Sequence, residues 1–241
     1  MLLGVNSLSL GYEKQNVIEN VSFSVNEGDF IIIVGANGAG KSTLIKGILG
    51  LIPIYGGSIN FSSNLKRTEI GYMPQETKVE KSFPATVYEI VLSGRLSAKT
   101  NKEKTFKNRL KRLISFYNKE DKEEALKALK ILNIIDIKDK SFSDLSGGQR
   151  QKTLLARSLC ATKKLLILDE PSNNLDNKSK EEFYLLLMKL NKELNITIMM
   201  ISHDTDIDKM LGNKLLIIKD KGSEFIDINL ERDDMEDIIW Y

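Results

Sequence analysis

An α/β fold with a mainly parallel sheet, an antiparallel β part at the N-terminus and a helical subdomain is predicted by three observations. Short apolar runs (Phe30 to Val34 without a break, Leu165 to Leu168, and Ile196 to Ile201 with Thr197 inside it) have the composition of strands covered on both faces. Segments with apolar residues at helical spacing alternate with them, which implies a parallel sheet with helices on both sides. Residues 1 to 34 instead alternate short β-like runs with turn residues.

In chain order, the strand Phe30 to Val34 ends at a glycine-rich turn. Lys41 to Leu51 then reads as a helix, with Leu44, Ile45, Ile48 and Leu49 on one stripe and Gly50 near its end. From about Ala85 to Thr162 the pattern becomes helical, with Val87, Ile90, Val91 and Leu96 in one helix and Ala125, Leu126, Leu129 and Leu132 in another. Residues 97 to 124 are rich in Lys, Asn, Glu and Ser and read as a solvated face or a loop. The β/α alternation returns after Lys164, with an amphipathic helix over 178 to 194. A closing hairpin is expected from Leu215 to Ile218, a turn at Asp220-Lys221-Gly222, and Glu224 to Ile228. The division expected is one domain over 1 to 241, whose core spans 1 to 84 and 163 to 241 and whose helical subdomain spans about 85 to 162.

Composition narrows the function classes. The 241 residues carry 35 basic and 33 acidic side chains, a net charge of +2, so no strong field for nucleic acid is implied and no nucleic-acid partner is expected. A single cysteine, Cys160, cannot form an internal disulfide and sits in a run that reads as a buried helix face, which fits a reduced compartment. No run approaches the roughly 20 apolar residues that span a bilayer, and the start carries no signal-peptide pattern. Any membrane role is therefore expected to come through a partner.

Gly35-Ala36-Asn37-Gly38-Ala39-Gly40-Lys41-Ser42 fits G-x-x-x-x-G-K-[ST] between a buried strand and a helix, the context that defines a P-loop. Backbone N–H groups of such a turn and of the first helical residues, Thr43 included, point at phosphate oxygens, and side chains at Gly35 or Gly40 would crowd that approach. Lys41 is placed to bridge the β- and γ-phosphates of ATP, and Ser42 to give its hydroxyl to Mg²⁺. The strand Leu165 to Leu168 delivers Asp169 and Glu170 to the sheet end where nucleotides bind. Paired with the P-loop, Asp169 is expected to hold Mg²⁺ and Glu170 to orient or deprotonate the attacking water.

Leu145-Ser146-Gly147-Gly148-Gln149 stands 23 residues before Asp169, counted from Ser146. Taken alone, Ser-Gly-Gly before a helix is a cap and a turn. With the P-loop and the acidic pair it resembles the LSGGQ signature of ATP-binding cassette (ABC) ATPases, and the resemblance covers essentially the whole chain. It implies a P-loop NTPase core and further site residues. Gln75 looks like the family's glutamine that touches Mg²⁺ and the attacking water, and Tyr12 like the aromatic that stacks on adenine. His203, the only histidine, stands 33 residues after Glu170, where the family carries a switch histidine at the γ-phosphate. Ser172-Asn173-Asn174-Leu175-Asp176 resembles the loop between paired subunits, with Asp176 in the matching place and asparagines where small residues are commoner.

In this family the signature of one subunit (Ser146, Gly147, Gly148, Gln149) covers the ATP on the P-loop of another. One P-loop and one signature therefore imply a homodimer around two ATP. The resemblance further implies a transmembrane permease, a peripheral place on the cytoplasmic face of the membrane, and indirectly an extracellular or periplasmic substrate-binding protein. Gly71-Tyr72-Met73-Pro74-Gln75, followed by Ser82 to Arg95, resembles the permease-facing segment of zinc and manganese importer ATPases. Importers of iron chelates and cobalamin share part of it, and a soluble ABC ATPase for iron–sulfur assembly stays open as an alternative. With one His and one Cys, the chain has no tetrahedral metal site of its own.

Overall fold

The computed structural model describes residues 1–13, 15–75, 85–96, 117–173, 175–202, 212–219 and 222–228. The chain divides into two compact units: residues 1–67, 167–170 and 188–241 form the first, and residues 68–166 and 171–187 the second. The boundary falls within two elements, the strand β6 and the helix α5 defined below.

In the first unit, β1 (Leu3–Tyr12) pairs antiparallel with β2 (Gln15–Val25). After β3 (Phe30–Val34) and helix α1 (Lys41–Ile48), β4 (Ile54–Phe61) pairs on the other side of β1, giving the order β2-β1-β4. This is the antiparallel part that the alternating N-terminal pattern predicts, and its buried residues include Leu8, Leu10, Ile18, Val21 and Val25. The second sheet of the unit is centred on β3, which pairs parallel with β7 (Thr197–Ile201) and with β8 (Lys214–Lys219). With β6 (Leu165–Asp169) the order runs β6-β7-β3-β8-β9, and β9 (Gly222–Asp227) closes the hairpin antiparallel on β8. Residues 220 and 221 of the expected turn lie outside the described residues.

Polar groups fix the start of β3. Buried Asp29 accepts from the Asn26 N–H at 2.6 Å and from Lys214 Nζ at 2.8 Å, and Asn213 Oδ1 accepts from the Phe30 N–H at 2.7 Å. Asn191 Nδ2 donates to the carbonyls of Gly28 and Ile196, at 2.9 Å each. The far end of the same strand is left to glycines and open backbone, and it is there that the P-loop begins. Helix α1 packs on β1 at Gly47, where any Cβ would overlap the Leu10 side chain. The helix ends at Ile48 rather than Leu51, because Gly50 turns the chain with φ +71°.

The second unit holds β5 (Ile70–Met73), α2 (Val87–Ser93), α3 (Lys119–Ile131), α4 (Gly147–Ala161) and the first part of α5 (Asn177–Leu194). Three of these helices open on reciprocal side-chain caps: Thr86 with Glu89, Asn118 with Asp121, and Ser146 with Gln149. Val91, Leu129, Leu155 and Leu159 are among the buried residues of α2, α3 and α4, and the thiol of Cys160, buried as its sequence context predicts, is pushed up to about 12 by desolvation. Helix α2 ends at Ser93, followed by Gly94 at a place where a Cβ would overlap the Arg157 carbonyl oxygen of α4; Leu96, expected on the stripe of that helix, lies beyond its end and is exposed. Residues 119 to 124, expected as a solvated face or a loop, are the first turns of α3 with Lys119, Glu120, Lys122 and Glu123 exposed. The exception to that reading is Asp121, which is buried, pairs with Asn118 in the helix cap and receives Arg95 Nε at 3.0 Å. Residues 97 to 116 lie outside the described residues. Among the described residues no helix is long and apolar enough to cross a membrane.

Candidate functional site

In the first unit the chemistry gathers where β3 and β6 end. The loop from Gly35 to Gly40 needs glycine for two different reasons. Gly35, Gly38 and Gly40 have φ of 151°, 85° and 100°, which L side chains rarely adopt. At Gly40 there is also no room, since a Cβ would overlap a methyl of Ile18 and press on Val17. At Gly38 nothing lies within 4 Å, so its requirement is the backbone alone. The tip, Ala36, Asn37 and Gly38, is exposed. An Ala39 N–H to Ala36 carbonyl bond of 3.1 Å closes the turn.

Helix α1 starts at Lys41 with no side-chain cap, so its first N–H groups, Ser42 and Thr43 among them, are offered to whatever sits in the loop. Lys41 is buried, and its ammonium arches back to donate to the carbonyls of Gly35 at 2.8 Å and Ala36 at 3.0 Å. It thereby spans the concavity that a phosphate chain would fill. Ser42 Oγ donates to Asp169 Oδ1 at 3.3 Å. Glu170 follows on the same strand end, buried, with its N–H on the Ile201 carbonyl at 3.1 Å and a left-handed φ of 49°. A glutamate held in that region costs about 1–2 kcal/mol, and such strain concentrates at functional sites.

The charges here are poorly solvated. Burial raises the Asp169 carboxyl above the usual range; the Ser42 hydroxyl opposes that, the Glu170 charge adds to it, and Lys46 and Lys41 pull it back. Burial lowers Lys41, against the pull of Glu170 and Asp169. Two buried carboxylates thus face one buried ammonium, and the arrangement is short of positive charge. A hydroxyl and a carboxylate oxygen side by side are hard ligands of the kind Mg²⁺ takes with a phosphate and water, so the residues fit that ion.

Tyr12 closes β1 as a residue 44% exposed, and Lys46 Nζ stands 6.0 Å from the centroid of its ring. Neither Lys46 nor the Val17–Ile18 wall against Gly40 was expected from the sequence. The only available signal for Lys46 is its place one helical turn after Ser42.

In the second unit Ser146 caps α4: its Oγ accepts from the Gln149 N–H at 3.3 Å and Gln149 Oε1 accepts from the Ser146 N–H at 3.2 Å. Ser146 and Gly147 are exposed, and Gly148 lies close to Ser179, where a Cβ would stand 3.3 Å from Oγ. Asp176 caps α5, taking the Ser179 N–H at 3.0 Å and its hydroxyl at 2.8 Å, and these bonds hold its carboxyl below the usual range. Gln75 follows β5 and is exposed. His203 lies outside the described residues, as do Ser82, Phe83 and Pro84 of the segment that resembles metal importers. The structure therefore brings Lys41, Ser42, Asp169 and Glu170 together in one unit and places Ser146, Gly147, Gly148, Gln149, Gln75 and Asp176 in the other.

The family model described as ABC transporter matches residues 18–173. The chain is 38% identical over 219 residues to the high-affinity zinc uptake system ATP-binding protein of Bacillus subtilis, covering 89% of this chain and 90% of that protein. It is 36% identical over 236 residues to a zinc uptake system ATP-binding protein of Listeria innocua (93% and 87%), and 32% over 237 residues to a zinc transport system ATP-binding protein of Streptococcus pneumoniae (96% of each). Among solved structures it superposes on a metal-chelate type ABC transporter in an inward-facing conformation with a TM-score of 0.78, at 30% identity over 94% of this chain and 83% of that one. An ATP-binding cassette in its ADP conformation superposes with a TM-score of 0.75, at 25% identity over 92% and 89%.

Proposed function

This chain belongs to the ABC transporter family, and from that premise we propose that it is the ATP-hydrolysing subunit of an importer of zinc or manganese ions. The observation that carries the cargo is the likeness, along nearly the full length of both chains, to ATP-binding proteins of zinc uptake systems.

In this reading ATP lays its phosphates on the uncapped start of α1, and Lys41 exchanges its bonds to the Gly35 and Ala36 carbonyls for phosphate oxygens. Ser42 and Asp169 hold Mg²⁺, which supplies charge neutralisation on the phosphates. Glu170, fixed by its backbone bond to Ile201, orients the attacking water and takes its proton as the water oxygen bonds the γ-phosphorus and the bond to the β-phosphate oxygen breaks. Gln75 and His203 assist at the γ-phosphate. Ser146 to Gln149 and Asp176 serve the nucleotide of a second copy of the chain, so two copies close around two ATP and part after hydrolysis. Binding energy present only while the γ-phosphate joins both copies drives the permease. The chain then acts at the cytoplasmic face of the membrane, held there by the permease, and a separate binding protein supplies the metal.

Deleting the gene is expected to lower cellular zinc or manganese and to slow growth under chelation, with rescue by added metal. Unchanged metal content, together with lost uptake of a chelate or an organic solute, would sink the metal-ion reading and leave the ATPase assignment standing.

A further inference from the structure

We infer that Lys46 is a positioning residue for the nucleobase: its ammonium occupies one face of the Tyr12 ring and holds that ring ready for adenine on the other. The inference rests on the nucleotide-binding reading above and adds a residue to it. Three observations carry it. The ammonium stands 6.0 Å from the ring centroid, the outer range of a cation–π contact. Tyr12 is 44% exposed as a residue, which leaves surface for a second aromatic partner. The helix that carries Lys46 is fixed against the strand that carries Tyr12, because Gly47 meets Leu10 with no room for a Cβ.

These contacts make the ring orientation a property of the protein before nucleotide arrives. A tyrosine with one face against a cation loses rotational freedom, and that loss is then not charged to binding. Lys46 has a second possible use, since its charge also bears on Asp169. The two uses differ in which part of ATP they serve. A cation acting through Tyr12 affects the base, whereas one acting through Asp169 affects the phosphates and their metal.

Calorimetry on the full chain separates them, with ATP and inorganic tripolyphosphate as the two probes. Lys46→Met should weaken ATP binding about 3- to 5-fold, the size of an exposed cation–π contact, and leave tripolyphosphate binding at the parental level. In a Tyr12→Ala background Lys46→Met should cost nothing further, and Lys46→Arg, which also rests on aromatic faces, should retain parental affinity. Equal weakening for ATP and tripolyphosphate would overturn the inference, as would a full additional loss in the Tyr12→Ala background. If Tyr12→Ala itself leaves ATP affinity unchanged, the base-stacking role of Tyr12 fails and Lys46 falls with it, while tripolyphosphate binding would still report an intact phosphate loop.

Discussion

Two glycine-rich helix starts in this molecule look alike in sequence and are finished in opposite ways. At α1 the N-cap is Gly40, left-handed and without a side chain, so the first-turn donors have no partner from a cap. At α4 the N-cap is Ser146, and a reciprocal pair of bonds with Gln149 satisfies the Gln149 N–H of the first turn and the N–H of Ser146 itself. The other described α-helices resemble α4, with Thr86, Asn118 and Asp176 as caps. The difference teaches which glycines invite a ligand. In the proposed function, a helix start that its own sequence leaves open, beside a buried ammonium, is the one that phosphate completes. A start that closes itself presents an exposed hydroxyl and a small-residue surface, suited to a weaker contact made only when a partner arrives.

The comparison breaks most visibly at Lys41. Lys41→Ala removes the one buried ammonium from a site with two buried carboxylates, so the open α1 start loses the cation that offsets them. ATP hydrolysis is expected to fall by at least about 10³-fold, with ATP affinity falling too. Steady-state ATPase assays and calorimetry check this, and parental turnover in the variant would show that α1 is not the phosphate seat.

At α4 the expected effects are smaller and come apart by substitution. Ser146→Ala removes the cap and should lower stability by about 1 kcal/mol, read as a modest fall in melting temperature. Ser146→Arg should bind ATP as the parent does and fail to form an ATP-dependent dimer on size-exclusion chromatography, because the side chain would stand where the partner's nucleotide must approach. Normal cooperative ATPase activity in Ser146→Arg would contradict the shared site.

What the sequence made legible follows the same division. The P-loop, Asp169 and Glu170 could be read because their requirements are local: glycine where φ is positive, an apolar strand ending in acid, a lysine one residue after the last glycine. Strands β3, β6 and β7 were readable as short, mostly apolar runs, each buried throughout or nearly so. What escaped depended on a distant neighbour. Leu96 has a place on the stripe of α2, but α2 ends at Ser93, and the need for glycine at 94 comes from the Arg157 carbonyl, distant in sequence, which leaves no room for a Cβ. Asp121 sits in a polar run that reads as a solvated face or a loop, yet it is buried beneath Arg95. Lys46 gains meaning only through a tyrosine on another strand.

Asp176 offers the finest test, since resemblance gives it a role at a partner's nucleotide while the structure gives it the cap of α5. The cap has a signature in pH. Because the Ser179 N–H and hydroxyl hold its carboxyl below the ordinary aspartate value, the folded state gains stability from its ionised form. That gain is complete above the unfolded aspartate pKa of about 3.9 and disappears as pH falls through the lower folded value. Asparagine caps as well as aspartate but does not titrate. Asp176→Asn should therefore melt with the parent near neutral pH and lose less stability than the parent below about pH 4. Thermal melts at the two pH values read this directly, and parallel acid dependence in both proteins would remove the cap from the account. The same variant then isolates the other role, because its α5 start is intact. Should Asp176→Asn lose ATP-dependent dimerisation while melting normally at neutral pH, the carboxylate serves the partner in addition to its own helix; unchanged dimerisation would leave it a cap alone, of the same self-closing kind as Ser146.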